Sequence, residues 1–515
     1  MTYKTIPSDQ LLKINTKAGL KEIGYQPRSI KDELRENLVQ KIQQKEAVFQ
    51  GIWGYEETVI PDVERALLSK HHINLLGLRG QAKTRIARLM VYLLDEYVPV
   101  VAGSELNDDP FQPLSRFARD LVEERGDDTP IYWLHRSQRY TEKLATPDVS
   151  VADLIGDVDP IKAASLKLPY SDERVIHYGL IPRSHRCIFV INELPDLQAR
   201  IQVSLFNILQ EGDIQIRGFK LRLPLDIQFV FTANPEDYTN RGSIVTPLKD
   251  RIDSQIITHY PRNIAIGKKI TQQEALLAQA QTDSIQIHEL ALTLVEQIAI
   301  EARDSEYVDA KSGVSARLTI SALENLVSAA ERRQLLNKEK KTHLRITDFW
   351  GVIPSITGKI ELVYEGEQEG AAAVAQHLLG KAIRTQFLEL FPDPEKAKKQ
   401  KADNPYVPIL KWFGDGNTLD MLNDDSDQQY EKMLHSVKGL EKLVNKLHPK
   451  LDKQEKLLLM EFALHGLAEY SQLSKKYLTK GLQFNDILSG MFSMDDPQGL
   501  DDDEGDEWDD YNPRR

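Results

Sequence analysis

Cysteine is almost missing from this chain of 515 residues, where Cys187 stands alone. A single thiol excludes an internal disulfide framework and any zinc site built on several cysteines. It falls inside the apolar run Cys187-Ile188-Phe189-Val190-Ile191, so it reads as a packed thiol and not a reactive one. Long apolar runs are missing too, and none approaches the roughly 18–20 residues of a membrane-spanning helix. Met1-Thr2-Tyr3-Lys4-Thr5-Ile6-Pro7 lacks the charged-then-apolar form of a secretory signal. A cytoplasmic location without a membrane partner is therefore expected. An excess of positive charge is also missing, with 65 Lys and Arg against 78 Asp and Glu. The net charge is −13, and residues 495–515 hold ten acids against Arg514 and Arg515, which puts −8 of that total in one tail. No basic footprint of a nucleic-acid binder is present, so nucleic acid is not an expected partner. The tail reads as disordered, either reaching a basic surface or a cation or serving only solubility.

What is present is ordinary globular composition, 41% hydrophobic and 28% charged, in a chain too long for one core. Residues 1–44 read as a helical lead-in, amphipathic over 30–39. Residues 45–262 alternate strands and helices, 263–395 read as helical, 396–494 again as helical, and 495–515 as the acidic tail. Short apolar runs at 98–102, 187–191 and 227–233, separated by helical patterns, predict a parallel α/β sheet. The interval between Lys83 and Cys187 exceeds one crossover and must contain insertions.

The most informative stretch is Gly77-Leu78-Arg79-Gly80-Gln81-Ala82-Lys83-Thr84, a phosphate-binding loop with Ala82 where the usual spelling has glycine. A strand precedes it at 71–76 and a helix follows at 85–94. This order aims backbone N–H groups and a helix dipole at one point. Lys83 would bring a charge to the β- and γ-phosphates, and Thr84 a hydroxyl for Mg²⁺. Downstream, a buried strand ends in Asn192-Glu193. Glu193 suits polarisation of an attacking water, and Asn192 offers an amide oxygen at the metal position where an Asp is usual. A third strand ends in Asn234-Pro235-Glu236, where Asn234 could orient that water or only initiate a turn. Arg251 follows in Leu248-Lys249-Asp250-Arg251, either for a neighbour's γ-phosphoryl group or as a salt bridge with Asp250 or Asp253. Arg317, in Ser315-Ala316-Arg317, opens a downstream helix.

In this order the motifs resemble those of AAA+ ATPases and, more narrowly, of the magnesium-chelatase I-subunit and MoxR-like clade, over residues 45–340 and more weakly to about 390. Gly51-Ile52-Trp53-Gly54-Tyr55-Glu56 looks like the family's adenine-side segment, which carries Tyr55 into the site. Residues 77–84 look like its Walker A loop, Ile191-Asn192-Glu193 its Walker B strand, Asn234 its first sensor, Arg251 its arginine finger and Arg317 its second sensor. Residues 154–159 with 178–181 look like the clade's insert in the second helix. Residues 212–223 look like its hairpin before the first sensor.

The resemblance implies a P-loop αβα sandwich with a parallel sheet, then an α-helical lid and a further helical C-terminal region. It implies ATP and Mg²⁺ held by Tyr55, Gly77, Arg79, Gly80, Gln81, Ala82, Lys83, Thr84, Arg85 and Asn192. It also implies a homo-oligomeric ring, usually of six, and a partner protein with a von Willebrand factor A domain. The expected output is ATP-driven remodelling of a partner or of a metal-insertion complex. Ala82 and Asn192 leave open a scaffold that binds ATP, assembles and hardly hydrolyses it. A DNA-acting motor or transcription activator has less support, since no DNA-binding module is evident.

Overall fold

The computed structural model describes residues 6–170, 172–216, 219, 222–235, 243–399, 404–478 and 480–487. Arg217, Gly218, Lys220, Leu221, Glu236 and the tail 495–515 lie outside the described residues. Five parallel strands build the central sheet: β1 (Ile73–Leu76), β2 (Tyr140–Leu144), β3 (Cys187–Asn192), β4 (Ile227–Ala233) and β5 (Ser254–Ile257), in the order β5-β1-β4-β3-β2. β3 and β4 are buried along their whole length, which is why each reads as an unbroken apolar run. Alternation still sorts their side chains into two layers. Phe189, Ile191, Phe229 and Phe231 join Leu205 and Ile208 in one core, while Ile188, Val190 and Val230 join Ile86 and Ala87 in another.

The lead-in is stitched to this second core. Its helix Ile30–Gln44, capped by Ser29, contributes Ile30, Leu34 and Leu38. From the same helix the carboxylate of Glu33 meets the buried Arg139 guanidinium through two bonds, each of 2.7 Å.

One strand expectation needs correction. Residues 98–102 do not enter the parallel sheet; Tyr97–Val101 pairs antiparallel with Ile131–His135 in a separate two-stranded ribbon. Pro99 has no N–H for a central ladder, which fits that peripheral place. The parallel strand is β2, Tyr140-Thr141-Glu142-Lys143-Leu144, a half-exposed edge with no apolar run to announce it. Two antiparallel additions fall where the clade's extra elements were expected: Gly156–Val158 with Ile176–Tyr178, and Asp213–Gln215 with Arg222–Pro224.

The chain divides into two compact units. The first, Met1–Glu274 with Glu306–Ile320 and Lys359–Val363, contains the central sheet. The second, Ala275–Ser305 with Ser321–Gly358 and Tyr364–Arg515, is built on the helices Glu289–Arg303, Ala371–Leu390 and Lys453–Glu469. It also holds a three-stranded antiparallel sheet, β6 (Leu419–Leu422), β7 (Ser474–Leu478) and β8 (Gly481–Asn485), in the order β6-β8-β7. That sheet adds strands to residues 396–494, which the sequence pattern reads as helical. Its strands are short, and β7 buries no residue fully, so the helical period beside them dominates the pattern. Among the described residues no helix is long and apolar enough to cross a membrane.

Candidate functional site

The loop after β1 is tightly packed. The Gly77 N–H donates to the Ala233 carbonyl at the end of β4 at 3.1 Å. A Cβ on Gly77 would lie 2.0 Å from Thr258 Oγ1 and 2.3 Å from Gln81 Oε1. Gly80 has φ +73, and a Cβ there would meet Ser315 Oγ at 2.1 Å. Both positions need glycine. Ala82 is strained: it precedes helix Lys83–Leu89 at φ 56, ψ 16, a left-handed conformation that costs a residue with a Cβ roughly 1–2 kcal/mol. The substitution read from the sequence therefore has an energetic cost in the fold.

Lys83 is buried, and its ammonium donates to three oxygens: the carbonyls of Gly77 and of Leu78 (2.9 Å), and Asn234 Oδ1 (2.8 Å). The loop is thereby tied to the tip of β4. At the tip of β3, Asn192 Oδ1 accepts from Thr232 Oγ1 at 3.0 Å and from Thr84 Oγ1 at 3.4 Å. Glu193 follows in the left-handed region at φ 55, ψ 50, its N–H donating to Thr232 Oγ1 at 3.2 Å. One end of the sheet thus gathers Lys83 and Thr84 from the phosphate loop, Asn234 from β4, and Asn192 and Glu193 from β3. A parallel sheet with a phosphate loop at its strand tips is the P-loop αβα arrangement that the resemblance to AAA+ ATPases implied.

The three segments that resemble Walker A, Walker B and the first sensor meet at this corner. Thr84 and Asn192 present two hard oxygens side by side, the donor type that Mg²⁺ takes, so the residues fit that ion. Among the described residues no cluster of three or more His, Cys, Asp or Glu side chains is poised for a metal. Mg²⁺ needs no such cage, because it keeps water and shares substrate phosphates.

The Tyr55 hydroxyl reaches the carbonyl oxygens of Gln81 (3.1 Å) and His259 (2.7 Å), and burial pushes its pKa up to about 12. Tyr55 therefore fastens the loop to the segment after β5. With Ile52, Trp53, His259, Pro261 and Ile270 it also lines a cleft beside Ala82. Arg85 and its ion-pair partner Glu274 border the same cleft. Arg79 pairs with Glu361 at 2.7 Å and donates to Ser312 at 3.0 Å. Arg317 opens helix Arg317–Asn337, its N–H donating at 3.1 Å to Ser315, the residue packed on Gly80. A larger cavity, of about 510 Å³, lies elsewhere, among Lys41, Tyr92, Asp95 and Arg136. Its walls mix charges of both signs and converge on no single ligand chemistry.

Arg251 is not brought to its own chain's loop. It precedes β5, whose first residue Ser254 pairs with Ile73 at the start of β1, whereas the loop follows the end of β1. The guanidinium donates to Gln210 at 3.0 Å and to the Pro247 carbonyl at 2.8 Å, and lies 4.9 Å over the Phe206 ring. The sequence reading missed Thr232, Thr258 and Glu142. Asn192 Nδ2 donates to Glu142 Oε1 at 2.6 Å. Only the alternating pattern of β2 could have pointed to Glu142.

No protein-family model matches the chain. Solved structures similar to it include NtrX from Brucella abortus (13% identity over 58% of this chain and 53% of that one, TM-score 0.31). A candidate ATPase from Cytophaga hutchinsonii is similar at 16% identity over 68% of this chain and 95% of that one, with a TM-score of 0.29. A model of the complex between the magnesium-chelatase subunits BchI and BchD is similar at 17% identity over 62% and 98%, with a TM-score of 0.32. The matched segment thus spans about half of NtrX. At such scores these likenesses carry no weight of their own, and the fold follows from the strand order and the groups at the strand tips. The two antiparallel additions keep the resemblance to the magnesium-chelatase I-subunit and MoxR-like clade.

Proposed function

We propose that the chain is a ring-forming ATPase that couples ATP binding and hydrolysis to remodelling of a partner protein or a metal-insertion complex. The observation behind this reading is the corner where Lys83 meets Asn234 and Thr84 meets Asn192. The phosphates would lie along the loop, with Lys83 exchanging loop carbonyls for phosphate oxygens. Mg²⁺, when bound with the nucleotide, would neutralise phosphate charge. Thr84 and Asn192 would hold it, directly or through its water. Glu193 would polarise the attacking water, and Asn234 would orient it. The adenine would enter the cleft beside Tyr55, with Arg79, Gln81 and Arg85 at its margin. Arg317 would report nucleotide state to the lid.

Arg251 would act on a neighbour's γ-phosphoryl group, since it stands at the far end of its own strands. This is the reason for expecting a ring; the resemblance adds that such rings are usually hexamers and work with a partner protein carrying a von Willebrand factor A domain. Titration with ATP and magnesium, sizing in solution and phosphate release test the reading together. Saturable ATP uptake, an assembly larger than a monomer and turnover lost in Glu193→Gln are expected. Arg251→Ala should bind ATP without turning it over, with partial rescue on mixing with Glu193→Gln protomers. A monomer that takes up no ATP in the presence of magnesium would sink the proposal.

A second reading, a nucleotide-gated scaffold with little hydrolysis, draws on the left-handed Ala82 and on the amide at 192. Equal background rates for the native chain and Glu193→Gln would favour it.

A further inference from the structure

The corner that lacks an aspartate at 192 has a carboxylate one strand away. Glu142 rises from the edge strand β2, and its Oε1 accepts from Asn192 Nδ2 at 2.6 Å. A carboxylate only accepts, so this contact decides which way the amide faces. Asn192 Nδ2 turns toward Glu142, and Oδ1 turns toward the hydroxyls of Thr84 and Thr232. Glu142 is itself fixed from both sides. Arg88, on the helix that the phosphate loop opens, reaches its two oxygens at 3.0 and 3.2 Å, and the Tyr140 hydroxyl donates to Oε2 at 3.0 Å. An aspartate at 192 would set two like charges within hydrogen-bond distance, which is unfavourable. Asparagine at 192 and glutamate at 142 therefore belong together, and the corner keeps one carboxylate.

Resting on the nucleotide reading above, we infer that Glu142 is a positioning residue for the Mg²⁺ site: it restores the negative charge that Asn192 lacks and holds the Asn192 amide oxygen toward Thr84. The Arg88 partner weakens this charge only in part, because its side chain is 63% exposed and water screens it.

The test is a charge swap read by magnesium dependence. A fluorescent ATP analogue is titrated into the full chain with EDTA and then at rising Mg²⁺, which yields the Mg²⁺ concentration at half-effect. Glu142→Gln keeps an acceptor for the amide but removes the charge, and should raise that concentration about tenfold or more. Asn192→Asp alone should also perturb it, by repulsion. The double variant Glu142→Gln with Asn192→Asp moves the carboxylate back to position 192 and should return the half-effect to near the native value. Thermal unfolding of each variant separates misfolding from a local effect, and a merely structural role for Glu142 would not give the rescue. An unchanged half-effect in Glu142→Gln, or no rescue in the double variant, overturns the inference while leaving nucleotide binding intact. No analogue uptake by the native chain overturns both.

Discussion

The unit with the C-terminal helices and the corner at the strand tips hold their buried polar groups in different ways. In the unit with the C-terminal helices, Arg333 is enclosed by Asp348 at 3.0 Å, Asp427 at 3.1 Å, Thr342 and the His343 carbonyl. Arg345 shares Asp427 and lies 4.1 Å over the Tyr430 ring, whose hydroxyl donates to the buried Glu461 at 2.7 Å. The two guanidinia close on Asp348 and Asp427, and Glu461 is held by the Tyr430 hydroxyl and the N–H groups of Ile346 and Thr347, a network whose partners lie within the fold. In the unit with the central sheet, Lys83, Asn192 and Asn234 sit at the strand tips beside a loop built from crowded glycines and a strained alanine. Their partners include carbonyls, hydroxyls and an amide, neutral groups that a phosphate can displace, and the Glu142 carboxylate on Asn192. Unpairing a buried charge strands its partner at high cost, whereas carbonyl and amide dipoles can give way to a ligand's oxygens.

The largest effect should come from breaking the closed network. Arg333→Ala leaves Asp348 buried without its guanidinium and should cost about 3–5 kcal/mol in urea unfolding, while folded molecules keep their ATP affinity. Lys83→Ala should do the reverse. It should remove roughly 2–5 kcal/mol of ATP binding, measured by calorimetry, with little loss of stability. Undiminished affinity would show that the open corner is not the phosphate site.

Acid probes the sheet-bearing unit by another route. His72 Nδ1 accepts from the Phe229 N–H at 3.2 Å and His185 Nδ1 from the Asp226 N–H at 3.0 Å, and burial pulls both pKa values down to about 3. The unfolded chain takes up these protons below about pH 6.5, so this stability is whole above that pH and is lost as pH falls toward 3. Asp226 opposes it, since burial lifts its carboxyl to about 6 and the folded chain gains stability as pH falls through that value. Two rings outweigh one carboxyl, and Tm should drop by several degrees between about pH 7 and about pH 5. An unchanged Tm would mean that the rings are more open to water than their burial indicates. The smallest effect belongs to Ala82→Gly. Relief of roughly 1–2 kcal/mol of backbone strain, less the added freedom of an unfolded glycine, should leave a gain of up to ~1 kcal/mol in thermal unfolding.

The sequence displayed the parts of the molecule that are buried on both sides. β3 and β4 are continuous apolar runs, and their terminal residues, Asn192-Glu193 and Asn234, were readable because a strand must end before polar side chains begin. β2 was hidden, since an edge strand with one wet face carries Thr141, Glu142 and Lys143 where an apolar signal would otherwise stand. Glu142 was hidden with it. The 98–102 run was visible but misleading, because apolarity reports burial and not the neighbour that a strand chooses. The left-handed backbone at Ala82 lay beyond the letters as well: they show a missing glycine, and only coordinates show the dihedral that residue adopts.

The Glu33–Arg139 clasp has a practical consequence. Anyone trimming the protein back to the first recognisable motif would delete the acid and keep the base, and would strip helix Ile30–Gln44 from the core beneath it. Such a shortened form would be expected to collapse or aggregate for that reason alone, and its silence in an ATP assay would say nothing about the nucleotide pocket.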